Sequence, residues 1–201
     1  FKVLKNHDLS VRAFYKRMFR MPTFNDLYYT DMGNAFLKPE YAEQFNVGLK
    51  YTRNFEKSPF MRMLDVSVDA YYNKITDKII AYPKGQQFRW TMLNLGEVEI
   101  KGVDAVLNTQ FSLGKLEVTT KFQYTYQEAI DVTDPADTYY RDQIPYIPWH
   151  SGSAIIALSW GTWSLGYSFI YVGERYNQQE NIIYNHTQPW YTSDMTLMKE
   201  I

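Results

Sequence analysis

The chain of 201 residues has 21 Lys and Arg against 22 Asp and Glu, so it lacks the basic excess that nucleic-acid binding requires. A mean hydropathy of −0.42, with no apolar run near 20 residues, excludes a helical membrane protein. Aromatic residues make up 17% of the chain, which argues against disorder, and the absence of cysteine excludes disulfides and thiolate metal sites.

Alternation of apolar and polar residues at every second position dominates the sequence, and it is typical of β-strands. In residues 44–52 (QFNVGLKYT), for example, the apolar residues occupy every second position. No comparable stripe at helical spacing is present. The pattern predicts eight strands, which in chain order lie near residues 9–16, 44–52, 64–73, 103–111, 116–127, 154–160, 163–171 and 190–198.

The predicted connections alternate in length. The short or intermediate ones lie near residues 5–8, 53–62, 112–115 and Gly161, and the long ones near residues 20–40, 83–89, 129–148 and 176–189. Antiparallel up-and-down strands would place all the long loops at one end, as in outer-membrane barrels with short periplasmic turns and long extracellular loops. We therefore expect residues 20–40, 129–148 and 176–189 to be extracellular and residues 112–115 to be periplasmic.

The alternation alone leaves open which face of the sheet is inside. A soluble lipocalin-like binding module would point its apolar stripe inward, whereas a membrane barrel points it at lipid. Aromatic residues near the ends of the stripes, and small polar residues on the opposite face, favour a membrane barrel with a hydrated lumen. On this interpretation nine residues face lipid: Val47, Leu49, Val66, Val68, Leu107, Val118, Phe122, Leu165 and Phe169.

Five short motifs occur in an order and spacing that resemble one protein family. They are similar to the "FRxPT…LY", "GNPxLKPE", "N…GxE", "PxxPxH" and "xxRY" motifs of TonB-dependent outer-membrane receptors. In this chain they read FRMPT with NDLYY (residues 19–29), GNAFLKPE (33–40), NLGEVEIKGVD (94–104), IPYIPWH (144–150) and GERYN (173–177). The chain departs from the family pattern at Ala35, where the family has proline, and at Asp104, where it has glutamate.

The resemblance implies an all-β fold: an antiparallel, up-and-down transmembrane β-barrel segment of about eight strands, part of a larger barrel of roughly 22 strands with a plugged lumen. Nothing in the chain resembles the plug domain, the TonB-contacting segment or the C-terminal strands. Residues 1–201 are therefore expected to form a partial barrel domain that needs those parts as partners. The implied function is uptake of a scarce ligand, such as a ferric siderophore, cobalamin or haem, across the bacterial outer membrane with energy coupled through TonB.

The sequence offers no catalytic constellation, and its three histidines lack metal-like spacing, so no enzyme activity, metal or cofactor is predicted. Rings in the long loops are the best candidates for contact with a small-molecule ligand, because they stack on flat organic groups. These candidates are Tyr28, Tyr29, Phe88, Trp90, Tyr139, Tyr140 and Tyr184. Basic residues at the same end suggest contact with lipopolysaccharide phosphates. We interpret the motif residues themselves as structural, and we expect Arg20 to pair with an acid in the loop or lumen.

Overall fold

The computed structural model describes residues 7–84 and 89–200. The elements in chain order are β1 (His7–Arg20), α1 (Phe24–Tyr28), β2 (Glu40–Asn54), β3 (Met61–Lys84), β4 (Arg89–Leu113), β5 (Leu116–Asp131), β6 (His150–Trp160), β7 (Trp163–Val172), β8 (Arg175–Tyr176), β9 (His186–Thr187) and β10 (Trp190–Lys199). A 3₁₀ turn, Ile183–Asn185, precedes β9. Within these ranges no helix has the length and apolar character needed to span a membrane.

Eight of the strands form one antiparallel sheet in the order β1-β2-β3-β4-β5-β6-β7-β10, and β8 pairs separately with β9. Each of the eight predicted strands falls within one strand of the large sheet, which confirms the all-β, up-and-down prediction. Among the described residues β1 pairs with β2 and β10 pairs with β7, and no ladder joins β1 to β10. The sheet is therefore open.

The connections at the two ends of the sheet differ as predicted. At one end, here called the turn end, residues 114–115 and 161–162 form two-residue turns. Gly114 and Gly161 have φ angles of 66° and 59° there, a conformation that glycine adopts without steric cost. At the opposite end, here called the loop end, lie loop 1 (residues 21–39), loop 2 (residues 132–149) and loop 3 (residues 173–189).

The prediction of a long loop near residues 83–89 is wrong. Strand β3 has 24 residues and β4 has 25, and the two are joined by residues 85–88. About 9–11 residues suffice to cross a bilayer, so this hairpin continues well past the thickness of a membrane. The alternation in the sequence fades beyond Tyr72 because loops cover the extended part of the hairpin, which buries residues that period 2 would expose.

The two faces of the sheet have different chemistry. The register places Leu49 opposite Val68 and Leu107 opposite both Val66 and Phe122, so the nine residues predicted to face lipid share one face, here called the apolar face. Polar groups on this face pair with each other, as in the 2.7 Å hydrogen bond between the hydroxyls of Thr109 and Thr120. The opposite face, here called the polar face, carries ion pairs that join β1 and β2 to β3, and a hydrogen bond between Thr125 and Asp104 joins β5 to β4.

The buried apolar core is small and lies at the loop end. It consists of Ile75, Leu95, Val98, Ile100, Ala129 and Ile144, with Ile144 contributed by loop 2. At the other edge of the sheet, every residue of β10 is exposed. Packing thus concentrates where the long β3–β4 hairpin meets the loops.

Candidate functional site

Loop 1 leaves β1 through Pro22, which has no N–H to continue the ladder. The loop then forms α1, whose N-cap is Thr23. The Thr23 hydroxyl accepts a hydrogen bond from the Asp26 backbone (3.2 Å), and the Asp26 carboxylate accepts one from the Thr23 backbone (2.9 Å). This capping box lowers the pKa of Asp26, chiefly through the bond from the Thr23 backbone. The helix was not predicted, although Thr-x-x-Asp is its sequence signal.

Arg20 fastens loop 1 to the strand ends. Its guanidinium lies 3.1 Å from the carboxylate of Asp26 and 3.8 Å from that of Glu40. Glu40 also accepts a hydrogen bond from the backbone N–H of Ile79 in β3, at 3.0 Å. These contacts confirm that Arg20 pairs with an acid in the loop, Asp26, and they connect the first two sequence motifs through Glu40 at the start of β2.

Asn94 links the second and third motifs. Its side-chain oxygen accepts a hydrogen bond from the Lys38 backbone (2.9 Å), and its amide donates to the carbonyls of Lys38 (3.1 Å) and Asp77 (2.7 Å). Asp77 has a φ of 53°, an unusual angle for a residue inside a strand. Asn94 therefore holds loop 1 against β4 and stabilises the distortion of β3 at Asp77.

Gly33 allows loop 1 to pack tightly on the end of α1. A Cβ at this position would lie 2.7 Å from backbone atoms of Leu27 and Tyr28, a distance that no relaxed structure tolerates. The next residue, Asn34, donates from its side chain to the Met92 carbonyl (3.1 Å). The motif glycine and asparagine thus serve the conformation of the loop.

Loop 2 is anchored by a buried glutamine that the sequence patterns did not single out. Gln143 is 1% exposed, and its side-chain oxygen accepts a hydrogen bond from the Ala129 backbone at 2.8 Å. Its amide donates to the carbonyls of Gln127 and Ile147, both at 3.2 Å. Burying an amide costs free energy unless it is hydrogen-bonded, and these bonds satisfy that requirement.

Asn181 joins loop 3 to loop 2. Its backbone N–H donates to the Asp142 carboxylate (2.9 Å), and its side-chain oxygen accepts from the Gln143 backbone (2.9 Å). Its side-chain amide donates to the carbonyls of Gln143 (3.0 Å) and Gln179 (3.1 Å). Loops 2 and 3 therefore form one hydrogen-bonded unit over the buried core.

The predicted ligand-contacting residues lie at the loop end, but in different settings. Tyr28, Tyr29 and Tyr184 are 60%, 58% and 89% exposed. Tyr139 and Tyr140 are half-buried in loop 2, where burial, followed by a hydrogen bond to Asp137, raises the pKa of Tyr139.

The prediction that Trp90 lies in a loop is wrong. Trp90 belongs to β4, and its ring packs 5.5 Å from that of Tyr146. The ring of Tyr28 lies 5.2 Å from that of Phe24. Phe88 lies outside the described residues. The sequence did not single out Phe36, which is 92% exposed in loop 1. The most exposed of these rings therefore come from loops 1 and 3, and Trp90 packs separately against Tyr146 of loop 2, which is 41% exposed.

Ion pairs and hydrogen bonds line the polar face. Arg12 of β1 makes two hydrogen bonds, of 2.9 and 2.6 Å, to Asp69 of β3. The pair passes over Gly48 of β2, where a Cβ would collide with the carboxylate. Asp65 accepts from Lys50, Thr52 and Asn108, and Asp104 accepts from Thr125 at 2.7 Å. Asp104, the departure from the family glutamate, thus still joins β4 to β5.

Gly102, the glycine of the third motif, lies under the ring of Tyr71. A Cβ there would also lie 2.7 Å from the Tyr126 carbonyl oxygen. The motif therefore provides a surface on the polar face for an aromatic ring from the neighbouring strand. Within the described ranges, no group of three or more His, Asp or Glu side chains is placed to hold a metal ion.

The family described as "TonB dependent receptor-like, beta-barrel" matches residues 3–197. The chain belongs to the TonB-dependent receptor β-barrel family. It is 29% identical over 181 residues to "Vitamin B12 transporter BtuB" from Photobacterium profundum, covering 87% of this chain and 26% of that protein. It is 32% identical over 99 residues to the protein of the same description from Vibrio vulnificus, covering 49% of this chain and 14% of that protein.

Two solved structures of transporters have the same fold. "Copper transporter OprC" superposes with a TM-score of 0.68 at 15% identity, over 98% of this chain and 30% of that one. "The FrpB iron transporter from Neisseria meningitidis (F3-3 variant)" superposes with a TM-score of 0.56 at 12% identity, over 96% of this chain and 30% of that one. The TonB-dependent receptor segment therefore spans about a quarter of its first curated relative and under a third of these structures. It is an outer-membrane β-barrel segment, and the lipocalin-like alternative is not supported.

Proposed function

We propose that this chain forms wall and extracellular loops of an outer-membrane receptor that imports a scarce small molecule with energy coupled through TonB. The observation that supports this most directly is the division of one open sheet into an apolar face and an ion-paired polar face. In membrane barrels the apolar face contacts lipid and the polar face lines the lumen. A plug domain, the other barrel strands and TonB are the partners that this proposal requires.

Cobalamin is the ligand that we propose first, because the two curated relatives described above are named as vitamin B12 transporters. Ferric siderophores and haem are the second choice. The copper and iron transporters support the fold alone, since they are 15% and 12% identical. The proposal is one of transport and not of catalysis.

The exposed rings of loops 1 and 3 are the proposed ligand contacts. Tyr28, Tyr29 and Tyr184 are more than half exposed, and α1 and the β8–β9 pair hold the segments that carry them. A ring held on an ordered loop stacks on a flat ligand with little loss of conformational entropy. Tyr139 and Tyr140 contribute less in this proposal, because both are half-buried within loop 2.

Equilibrium binding to the full-length receptor tests the proposal. Cyanocobalamin, haemin and a ferric siderophore are titrated separately, and we expect saturable binding of cyanocobalamin at submicromolar concentration. Tyr184→Ala should weaken binding about tenfold, the value of one lost stacking contact. Phe60→Ala is the matched control, because Phe60 is an exposed ring (51%) at the turn end. If only haemin or only the siderophore binds saturably, that compound is the ligand and the assignment of cobalamin is wrong. If none of the three compounds binds, the proposal is contradicted.

A further inference from the structure

The β3–β4 hairpin extends beyond both neighbouring strands at the loop end. Strand β2 pairs with β3 only as far as Thr76, and β5 pairs with β4 only from Val98 onward. Residues 78–84 of β3 and 89–95 of β4, here called the hairpin extension, pair only with each other within the large sheet. A lone two-stranded hairpin is marginally stable in water, so contacts with the loops are needed to stabilise it.

Loop 1 bonds to the β4 strand of the hairpin extension. The Met92 N–H donates to the carbonyl of Met32 at 2.9 Å, and the Met92 carbonyl accepts from the side chain of Asn34 at 3.1 Å. The side chain of Asn94 accepts from the backbone N–H of Lys38 and donates to its carbonyl, at 2.9 and 3.1 Å. Loop 1 is therefore held along the free edge of β4.

Loops 2 and 3 contact the hairpin extension nearer its tip. The ring of Trp90 packs 5.5 Å from that of Tyr146 in loop 2. The backbone N–H of Tyr146 donates to the carbonyl of Tyr176 at 2.8 Å, which joins this part of loop 2 to β8. Burial raises the pKa of Tyr82, whose hydroxyl contacts the backbone of Gln179 in loop 3. Both strands of the hairpin extension thus carry a loop contact here.

The hairpin extension connects loop 1 with the other two loops. Among the described residues, no hydrogen bond or ion pair runs directly from loop 1 to loop 2 or loop 3. Loop 1 contacts the hairpin extension at Met92 and Asn94, and loops 2 and 3 contact it at Trp90 and Tyr82. The ladder of the hairpin fixes these four residues relative to one another.

We propose that the hairpin extension holds loops 1, 2 and 3 in one body, so that the exposed rings of loops 1 and 3 have their ligand-contacting arrangement before a ligand arrives. The inference rests on the proposed function for the role of those rings. A surface that is ordered in advance loses less conformational entropy on binding. Trp90 is then a positioning residue, which acts on the ligand through Tyr146 and the loops and does not contact it.

Preorganisation has a kinetic consequence that distinguishes positioning from contact. When the loops spend only a fraction of the time in the binding arrangement, the apparent affinity falls by that fraction. The loss appears in the association rate, because the arrangement that does bind keeps all its contacts. Removing a ring that contacts the ligand instead speeds dissociation, as is usual for substitutions in an interface.

The distance between loops 1 and 3 in the full-length receptor tests the proposal without a ligand. Spin labels are attached to cysteines at Phe36→Cys and Ile183→Cys, which replace side chains that are 92% and 79% exposed. The distance is measured by double electron–electron resonance in lipid vesicles. We expect one narrow distance distribution in this otherwise wild-type receptor.

Two variants of the hairpin extension should broaden that distribution. Trp90→Ala removes the ring that packs on loop 2, and Asn94→Ala removes two hydrogen bonds to loop 1. Trp163→Ala is the matched control and should leave the distribution narrow, because Trp163 is a 42% exposed ring at the turn end. A broad distribution without these substitutions, or one that neither hairpin variant broadens, would overturn the proposal. Addition of cyanocobalamin should leave the distance unchanged, and a shift to a new distance would contradict preorganisation.

Binding kinetics of cyanocobalamin on the unlabelled full-length receptor test the role of Trp90. Trp90→Ala should lower the association rate constant about tenfold, as expected if a tenfold smaller fraction of the loops has the binding arrangement, and leave the dissociation rate constant unchanged. Trp90→Phe keeps a ring against Tyr146 and should restore the association rate. Faster dissociation of Trp90→Ala at an unchanged association rate would show direct ligand contact and overturn the positioning role, as would two unchanged rates. The distance measurement needs no ligand, so it decides the proposal even if cyanocobalamin does not bind and the proposed function fails.

Discussion

Placing an arginine on the apolar face of β3 should destabilise the receptor far more than placing it one residue earlier. Val68 is 38% exposed on that face, and it lies seven residues from the start of β3 at Met61. At about 3.3 Å per residue and a tilt near 40°, Val68 lies roughly 18 Å above the turn end. That height is near the middle of an apolar band about 25 Å tall, where arginine costs about 2–4 kcal/mol.

The matched control is Ser67→Arg, because Ser67 lies on the polar face between Asp65 and Asp69. The new cation lies opposite Lys50 of β2, but it also lies beside the two carboxylates and water, so we expect a cost below about 1 kcal/mol. Urea unfolding of the full-length receptor in lipid vesicles measures both variants. Equal destabilisation by the two substitutions, or a greater effect of Ser67→Arg, would refute the assignment of the faces.

Three further predictions concern the loop end. Asn181→Ala should speed amide hydrogen exchange in loops 2 and 3 together, because each hydrogen bond that it removes contributes about 1 kcal/mol of stability. The control, Asn185→Ala, should speed exchange in loop 3 alone. Faster exchange in only one loop in both variants would argue against a joint unit. Gly33→Ala should expose loop 1 to protease by forcing its backbone away from α1, and unchanged cleavage would contradict the close approach. Asp26→Asn should increase cleavage of loop 1 at pH 7. The lowered pKa of Asp26 means that the carboxylate stabilises the folded loop above its ordinary pKa of 3.8 and ceases to do so as pH falls through the lower folded value. The difference between variant and wild type should therefore disappear only in strong acid, and a difference lost near pH 6 would implicate another group.

The sequence predicts the sheet well because one physical rule controls it. In a strand between lipid and lumen, apolar and polar side chains alternate from one residue to the next. The polarity of residues such as Val66, Ser67 and Val68 therefore indicates which face each one occupies. The same rule fails where the environment is no longer two-sided. In the extended β3–β4 hairpin, Ile79 and Leu95 occupy adjacent ladder positions that point to opposite faces, and both residues are buried. The strands predicted from the period-2 pattern were therefore shorter than β3 and β4, and Trp90 was predicted to lie in a loop.

The loop end was predicted less completely because its contacts join residues far apart in the sequence. Asn94 bonds to Lys38 across 56 positions, and Asn181 bonds to Gln143 across 38. No local pattern distinguishes such an asparagine from a solvated one. The family motifs did identify Arg20 and Gly33, and the structure explains both by loop packing. The ligand-contacting role of the exposed rings stays a prediction.

Spin labelling of β3 in the membrane tests the central claim, that the apolar face contacts lipid and the polar face lines a hydrated lumen. The chain has no cysteine, so each substituted cysteine carries the only label within it. Labels at Val66, Val68 and Ala70 of the full-length receptor should be relaxed by oxygen, which concentrates in lipid, and labels at Ser67 and Asp69 by a water-soluble nickel complex. Alternation in this phase would support the account. Labels at Val66 and Val68 that neither reagent reaches, as inside a closed apolar core, would contradict it.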